Sequence, residues 1–461
     1  MVEKKTSVST GNPQMDAILN GGFPTNSINI IMGQPGTGKT VFAEQMIFHQ
    51  GTAEDRPIVY LTTLSEPVAK VLTYLQRFEF YDDDKIGSSI HYGDIGDELS
   101  EKGIDCVVPR LEDLIHTVAP KIIVIDSFRA LHDLAESTQS MRRMLHRMTG
   151  LLTAFETTVF LIGEYTEEQS RTLPEFAVAD GIIQFLRNPQ STKDERFVRV
   201  LKLRGSSYLE GLHACRITNN GVQVFPRLIT PDVPRNYEVQ NTRVPSGVDG
   251  LDKIIGGGFA QGSATLLVGP SGAGKTTCGL QFALAGLNEN KGRSLVLNFQ
   301  ENPTQLARSL MNLTGKEKPP EGLELIYMSP VEMQVDSVIV SLFRRIESDN
   351  IGRIVVDSIG DLAMATSDAD RLHDFLYALV QHFAMKGVTS MLTFESIDGI
   401  TQNGSDARLG RVSYMSDNII LMNLNHDSKP PRTITCIKAR GTHHDLAAHE
   451  FHIAADGLHI H

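Results

Sequence analysis

GQPGTGKT at Gly33–Thr40 and GPSGAGKT at Gly269–Thr276 are one short phrase written twice in a single chain, and the residues around them decide the fold. Each copy follows an apolar run, SINIIM (27–32) or SATLLV (263–268). The first then opens TVFAEQMIFHQGTAE (40–54), where apolar residues recur at helical spacing. Strand, glycine-rich turn and helix in that order gather backbone N–H groups and the positive end of a helix around a phosphate. The lysine neutralises charge on the β- and γ-phosphates, and the hydroxyl residue binds Mg2+. On that reading Gly36, Thr37, Gly38, Lys39, Thr40 and Val41 hold ATP in the first copy. Ser271, Gly272, Ala273, Gly274, Lys275, Thr276 and Thr277 do so in the second. Lys39 and Lys275 are expected to act in catalysis as well, and Thr40 and Thr276 as metal ligands. Two ligand-free glycine turns are the competing reading, and the strand before and helix after each copy weigh against it.

The repetition extends well beyond the two loops. STGNPQMDAILNGGFPTNSINIIMGQPGTGKT matches PSGVDGLDKIIGGGFAQGSATLLVGPSGAGKT without a gap, so Lys39 and Lys275 lie 236 positions apart. LKLRGSS at Leu201 and IKARGTH at Ile437 keep that spacing, with Lys202 and Lys438 again 236 apart. A period held over half a chain means a duplicated domain. Proline and polar residues interrupt the apolar pattern in RLITPDVPRNYEVQNTRVP (227–245), which reads as a linker. The expected domains are therefore 1–230 and 241–461. Short β-branched runs (PIVYLTT, KIIVIDS and TTVFLIG; then SLVLNFQ, RIVVDSI and TSMLTF) suit parallel strands buried on both faces. SMRRMLHRMTGLLTAF (140–155) reads as a covering helix. The fold class is α/β: two tandem RecA-like phosphate-loop domains, each a mostly parallel sheet flanked by helices.

Composition narrows the partners. In 461 residues, 43 Lys and Arg face 55 Asp and Glu, a net charge of −12, which opposes broad electrostatic binding to nucleic acid. No apolar run is long enough to cross a bilayer, and no signal-peptide core opens the chain. Cys106, Cys215, Cys278 and Cys436 lack CxxC spacing and read as buried small hydrophobes or free thiols, which fits a cytoplasmic setting. The late histidines in GTHHDLAAHEFHI and LHIH form no metal-ligand spacing and read as surface or packing residues. YDDDK (81–85) reads as a solvated acidic turn.

A metal-holding carboxylate is expected at the end of a second buried strand, and IIVIDS and IVVDS supply Asp126 and Asp357, 231 apart. Lys202 with Arg204, and Lys438 with Arg440, are alternate residues of strand-like segments, so each pair points to one face. Two cations facing one way suit a γ-phosphate presented by an adjacent subunit.

Taken together, TG…D…L…GGF before each loop, the paired loops and K-x-R-G near the end of each half resemble the KaiC family, the double-domain RecA-like ATPases of the cyanobacterial clock and their bacterial and archaeal relatives. The resemblance spans nearly the whole chain. It implies six subunits in a double ring, ATP held between neighbours, and a second ring that phosphorylates itself. It adds Leu203, Ser206, Tyr208, Thr218 and Asn219 to the first ATP site, and Ala439, Thr442, His444, Arg432 and Leu313 to the second. A KaiB-like or other signalling protein is the kind of partner it implies.

The chain departs from the family pattern at four places. Of two adjacent glutamates after the second strand, only the second remains: TLSEP keeps Glu66 beside Ser65, and NFQEN keeps Glu301 beside Gln300. Glutamine cannot take a proton from water, so slow hydrolysis is expected, with Glu66 and Glu301 as bases. The phosphoacceptor stretch reads SYMSD (413–417), with Ser413 kept and Tyr414 in the threonine's place; Ser413 is the first expected acceptor, then Tyr414 or Ser416. Leu313 replaces an aromatic residue against the second adenine. The family's long tail after the last strand, which recruits an activating KaiA-type partner, has no counterpart here, so that mode of binding is not expected.

Three functions follow. One is a hexameric ATPase working as a clock or signalling switch. Another is a RecA- or DnaB-like motor acting on DNA, which would need basic loops; SIDGITQNGSDARLGR (396–411) offers Arg408 and Arg411 against two aspartates. The third is a nucleotide-stabilised scaffold with little turnover.

Overall fold

A computed structural model describes residues 7–64, 66–189, 194–231, 242–288, 292–330, 333–364, 369–396, 413–424 and 431–461. Ser65, Gln300's expected counterpart, lies outside them, as do most of the linker and most of 396–411. The chain divides into two compact units between Arg227 and Leu228.

The apolar runs around the first loop form the middle of its sheet. Ile28–Gly33 pairs in parallel with Gly181–Pro189 on one side and Thr158–Gly163 on the other. Ile122–Asp126, Ile58–Thr62 and Ile90–Asp94 continue the parallel part outward. Asp194–Leu203, His213–Thr218 and Gly221–Phe225 extend the opposite edge in antiparallel order. The central runs Ile28–Gly33, Ile58–Thr62 and Thr158–Gly163 are buried at every position because both faces of the sheet are covered there. Ile30, Met32, Val59 and Leu61 enter the core on one face, against Met141, Leu145 and Met148 of the helix Thr138–Ala154. Ile31, Ile58 and Tyr60 enter the other, with Phe42, Met46 and Ile47 of the helix Lys39–Gln50. That helix stops at Gln50, short of the patterned stretch in the sequence, because Gly51 takes an extended backbone.

The second unit repeats the plan. Its sheet runs Leu323–Tyr327, Ser294–Asn298, Arg353–Asp357, Thr389–Glu395, Ala264–Gly269, Asn418–Leu424, Arg432–Ala439, His449–Ala454, Gly457–Ile460. The first six are mutually parallel and the last three antiparallel. Among the described residues each unit has one nine-stranded, mostly parallel sheet with helices on both faces, beside a two-stranded one: two RecA-like domains in tandem. All four cysteines are buried free thiols, and burial alone pushes the Cys278 thiol up to about 12. YDDDK ends in a single tight turn at Asp83–Lys85, capped by Asp82, with Lys85 Nζ donating to Phe48 O at 2.8 Å. Among the described residues, no helix is long and apolar enough to cross a membrane.

Candidate functional site

The two phosphate loops have the same local build. Gly38 and Gly274 each sit at φ 102°, a backbone region that side chains rarely adopt, and start the helices Lys39–Gln50 and Lys275–Ala285 with no side-chain cap. The first-turn N–H groups therefore stay open toward an anion. A Cβ on Gly38 would meet Ile217 Cδ1 at 3.1 Å, and one on Gly274 would meet Ile453 Cδ1 at 2.6 Å. The last hairpin of each domain thus leans on its own loop. Lys39 Nζ donates to Gln34 O at 2.9 Å, and Lys275 Nζ donates to Gly269 O and Pro270 O, both at 2.9 Å. Burial lowers both ammonium pKa values; Glu164 and Asp126 partly offset this for Lys39, as do Glu395 and Asp357 for Lys275.

The expected metal groups meet in both domains. Thr40 Oγ1 donates to Asp126 Oδ2 at 2.8 Å, and Thr276 Oγ1 to Asp357 Oδ2 at 2.7 Å. A hydroxyl and a buried carboxylate converging beside a phosphate loop are hard oxygen donors of the kind Mg2+ takes, with water and phosphate filling its remaining positions. The two carboxylates are held differently. Asp126 also accepts from Tyr60 OH at 2.8 Å, and its own burial raises its pKa. Asp357 instead accepts from Asn298 Nδ2 at 3.2 Å and from Thr393 Oγ1.

In the first domain these groups line a cleft of about 530 Å³ with Val41, Val71, Arg129, Glu164 and Ile217. Glu66 borders the same cleft, but its Oε1 accepts from Lys70 Nζ at 2.9 Å in an exposed pair. Among the described residues Glu301 has no comparable partner. It is half-buried beside Asp357, and burial followed by that charge raises its pKa. Gln300 is turned elsewhere: its Nε2 donates to both carboxylate oxygens of Asp361, at 3.2 and 3.1 Å.

Lys202, Leu203 and Arg204 do not line that cleft. Leu203 is buried, whereas Arg204 pairs with Asp180 at 3.3 Å and keeps over half its side chain in solvent. Arg440 does the same with Asp417 at 3.6 Å, and Ala439 is the buried residue between its cations. Burial, then the neighbouring guanidinium, lowers the pKa of both Lys202 and Lys438. Tyr208 packs on the first core and Leu313 on the second. Ser206 Oγ donates to Ser207 O at 3.0 Å, and Thr442 Oγ1 to His443 O at 3.4 Å. Thr218 Oγ1 donates to Gly221 O at 3.2 Å, and Asn219 O accepts from Glu79 N at 2.8 Å. His444 Nε2 and Arg432 Nε are buried polar atoms without a hydrogen-bond partner among the described residues. The late histidines stack on the final hairpin, where His452 and His461 bring ring nitrogens to 2.7 Å.

Sequence reasoning passed over Glu164 and Glu395. Both stand at the end of the strand beside the phosphate-loop strand, Glu164 just after Gly163 and Glu395 as the last strand residue, opposite Gly269. Their spacing of 231 equals that of Asp126 and Asp357, a signal legible in the sequence itself.

A family model described as the KaiC ATPase matches the chain twice, over residues 8–229 and 244–461. The circadian clock oscillator protein KaiC of Acaryochloris marina is 27% identical over 479 residues, which cover 99% of this chain and 88% of that protein. The protein of the same name from a Nostoc species is 27% identical over 485 residues, covering 100% and 89%. That of Synechococcus elongatus is 27% identical over 465 residues, covering 96% and 86%. Two RecA-like domains, a phosphate loop and metal-type carboxylate in each, and a family match over nearly all of both lead to one conclusion: the chain belongs to the KaiC family of ATPases.

Proposed function

We propose that the protein is a slow, ring-forming Mg2+-dependent ATPase, six copies to a ring, that works as a nucleotide-state switch in a circadian clock or related signalling system. Each domain grips ATP between its own phosphate loop and the Lys–Arg pair of the next copy. The observation that carries this reading is the placement of Arg204 and Arg440. Both guanidinium groups project into solvent from the end of an antiparallel strand, and the first pair stands outside its own cleft. Arg is the residue suited to a transferring phosphoryl group, because its planar fork matches phosphate oxygens.

Within a site, the loop N–H groups and Lys39 or Lys275 bind and orient the phosphates. Thr40 with Asp126, and Thr276 with Asp357, would hold Mg2+, which neutralises charge on the phosphate oxygens. Glu301, half-buried beside Asp357, would accept a proton from water, whereas Glu66 would first have to leave Lys70. Turnover is then slow and carried mostly by the second domain. A second reading, a nucleotide-stabilised scaffold, draws support from the engaged Glu66 and from Gln300 turned to Asp361. Nothing comparable favours a motor on DNA. An acceptor for autophosphorylation lies on the Ser413–Ser416 turn, and a KaiB-like or other signalling protein is the kind of partner that reads the state of the ring.

The test combines particle mass with and without Mg-ATP and steady-state turnover. Assembly on ATP, with turnover reduced at least tenfold in R204A/R440A, is the expected result. A particle that remains a single protomer under saturating ATP removes the proposal. Unchanged turnover in E66Q/E301Q removes those carboxylates as bases.

A further inference from the structure

The closing hairpin of the second domain, His449–Ala454 with Gly457–Ile460, presents different chemistry on its two faces. The inner face supports the phosphate loop. Ile453 leans on Gly274, and Leu458 N donates to Gln281 Oε1 of the helix Lys275–Ala285 at 2.8 Å. Side chains alternate along a strand, so His452, next to Ile453, turns outward. His459 stands directly across from it, and His461, two residues further on, shares that outer face. The His452 and His461 rings lie 4.7 Å apart and within 11° of parallel, with His452 Nδ1 2.7 Å from His461 Nε2. His459 stacks on His452 at 5.3 Å, and its own Nε2 is held 2.9 Å from Asp456 Oδ1. Both members of the close pair are exposed.

The first domain builds the same hairpin with other residues. The positions 236 earlier are Arg216, Gln223 and Phe225. Arg216 Nε donates to Gln223 Oε1 at 2.9 Å, and its guanidinium carbon lies 5.3 Å from the Phe225 ring centroid. That face is closed by a hydrogen bond and a cation over a ring, and neither the guanidinium nor the phenyl ring offers a lone pair to an ion. The imidazoles are therefore peculiar to the second domain and are not required to close the hairpin.

We propose that His452 and His461 form a binding site for a late first-row divalent cation of the Zn2+ or Cu2+ type, which clamps the closing hairpin of the second domain. Imidazole nitrogen suits such ions, whereas Mg2+ takes hard oxygen donors, so the site differs in chemistry from Thr276 with Asp357. Two nitrogens bound to one ion at about 2.0–2.1 Å stand about 3 Å apart, a separation that a slight turn of either exposed ring reaches. In the pair as it stands, one facing nitrogen carries the proton and the other accepts it. On binding, that proton moves to the far nitrogen of the same ring, His452 Nε2 or His461 Nδ1. Both lone pairs then go to the ion, two waters leave its hydration shell, and both rings stay neutral. Among the described residues no group of three or more His, Cys, Asp or Glu gathers as a ligand set, so water fills the remaining positions. An ion bound only by the folded hairpin stabilises the second domain by mass action. The site needs neither nucleotide nor a second copy, and so stands apart from the seam reading.

The test is calorimetric titration of the whole, nucleotide-free chain with Zn2+ in excess Mg2+, with Cu2+ and its electron paramagnetic resonance spectrum as a second probe. One ion of highest affinity per chain is expected, held more tightly as Cu2+ than as Zn2+, with two nitrogens resolved in the Cu2+ spectrum. H452Q and H461Q should each weaken binding at least about tenfold, and H449Q should not. Glutamine keeps a hydrogen-bonding amide at each place and is a poor ligand for these ions, so the loss reports coordination. Zn2+ at about a hundred times its dissociation constant should raise melting of the second domain by about 5 °C in the wild type and not in H452Q. Affinity unchanged in H452Q and H461Q, or no binding by about 1 mM Zn2+, overturns the proposal and leaves a hydrogen bond between two rings. Should either variant fail to fold, the wild-type Cu2+ spectrum decides: fewer than two nitrogens overturns the pair as the ligand set.

Discussion

The two domains share a backbone plan and exchange the charges they bury. In the first, Glu44 is completely buried, bonded to Tyr92 OH at 2.7 Å, and its pKa is pushed up to about 8 by burial. Tyr60, in the next strand, supplies the phenol that holds Asp126. At the matching positions the second domain has Leu280, Leu325 and Val296, all apolar. It buries a guanidinium instead. Arg353 stands where the first domain has Ile122, with its Nη1 donating to Pro245 O at 2.7 Å and Phe282 O at 2.8 Å. Its carbon Cζ lies 4.6 Å from the Phe282 ring centroid. Polar burial is tolerated where its partners are supplied. The lesson is that duplication preserved where the strands end, and with them the phosphate loop and its carboxylate, while the supports behind that carboxylate diverged.

The largest break in this comparison is expected in turnover. With the other loop disabled, E301Q should lose about a hundredfold in the second domain, and E66Q less than about threefold in the first. Equal losses would show that the Lys70 pair does not restrain Glu66. Next comes stability. R353M leaves buried carbonyls without their donor and should destabilise the second domain by about 2–4 kcal/mol in denaturant titration, with the first unchanged. Loss of stability in both would mean that they unfold as one unit.

A pH series sharpens the contrast further. Glu44 holds its proton in the folded domain up to about 8, while the unfolded carboxyl ionises near its ordinary value. The stability this gives is complete at acid pH and lost as pH rises toward 8, by up to about 1.4 kcal/mol per unit. Melting of E44Q should therefore fall less than wild type between pH 5 and 8. Parallel curves would mean that the carboxyl is not neutral in the fold. The smallest effect belongs to Y60F, which removes one of two donors to Asp126. It should weaken Mg2+ dependence of the first domain about fivefold, about 1 kcal/mol, with no change at the second site.

Much of this was legible in the sequence because the signals are local. The four central residues of KIIVIDS, Ile122 to Ile125, are apolar without a break, so such runs read as strands buried on both faces, and a loop ending in GKT between strand and helix has one common use. Edge strands were missed for the opposite reason. IHYGD and LELIY are short and mix polarity, since only part of each is covered. Within the site, residue types were legible and orientations were not. Nothing in TLSEP says that Lys70, one helical turn on, engages Glu66, or in NFQEN that Gln300 turns to Asp361. His373 and Tyr414 are 41 residues apart, and only the fold brings them together.

The contact between phosphate loop and closing hairpin bears on how the protein is made. Gly38 and Ile217 are 179 residues apart, and so are Gly274 and Ile453. A ribosome adds about 5–20 residues per second, so each loop emerges on the order of ten seconds or more before the side chain that buttresses it. ATP affinity during synthesis should therefore arrive in two late steps, one as each hairpin clears the exit tunnel, and not when the loops themselves appear.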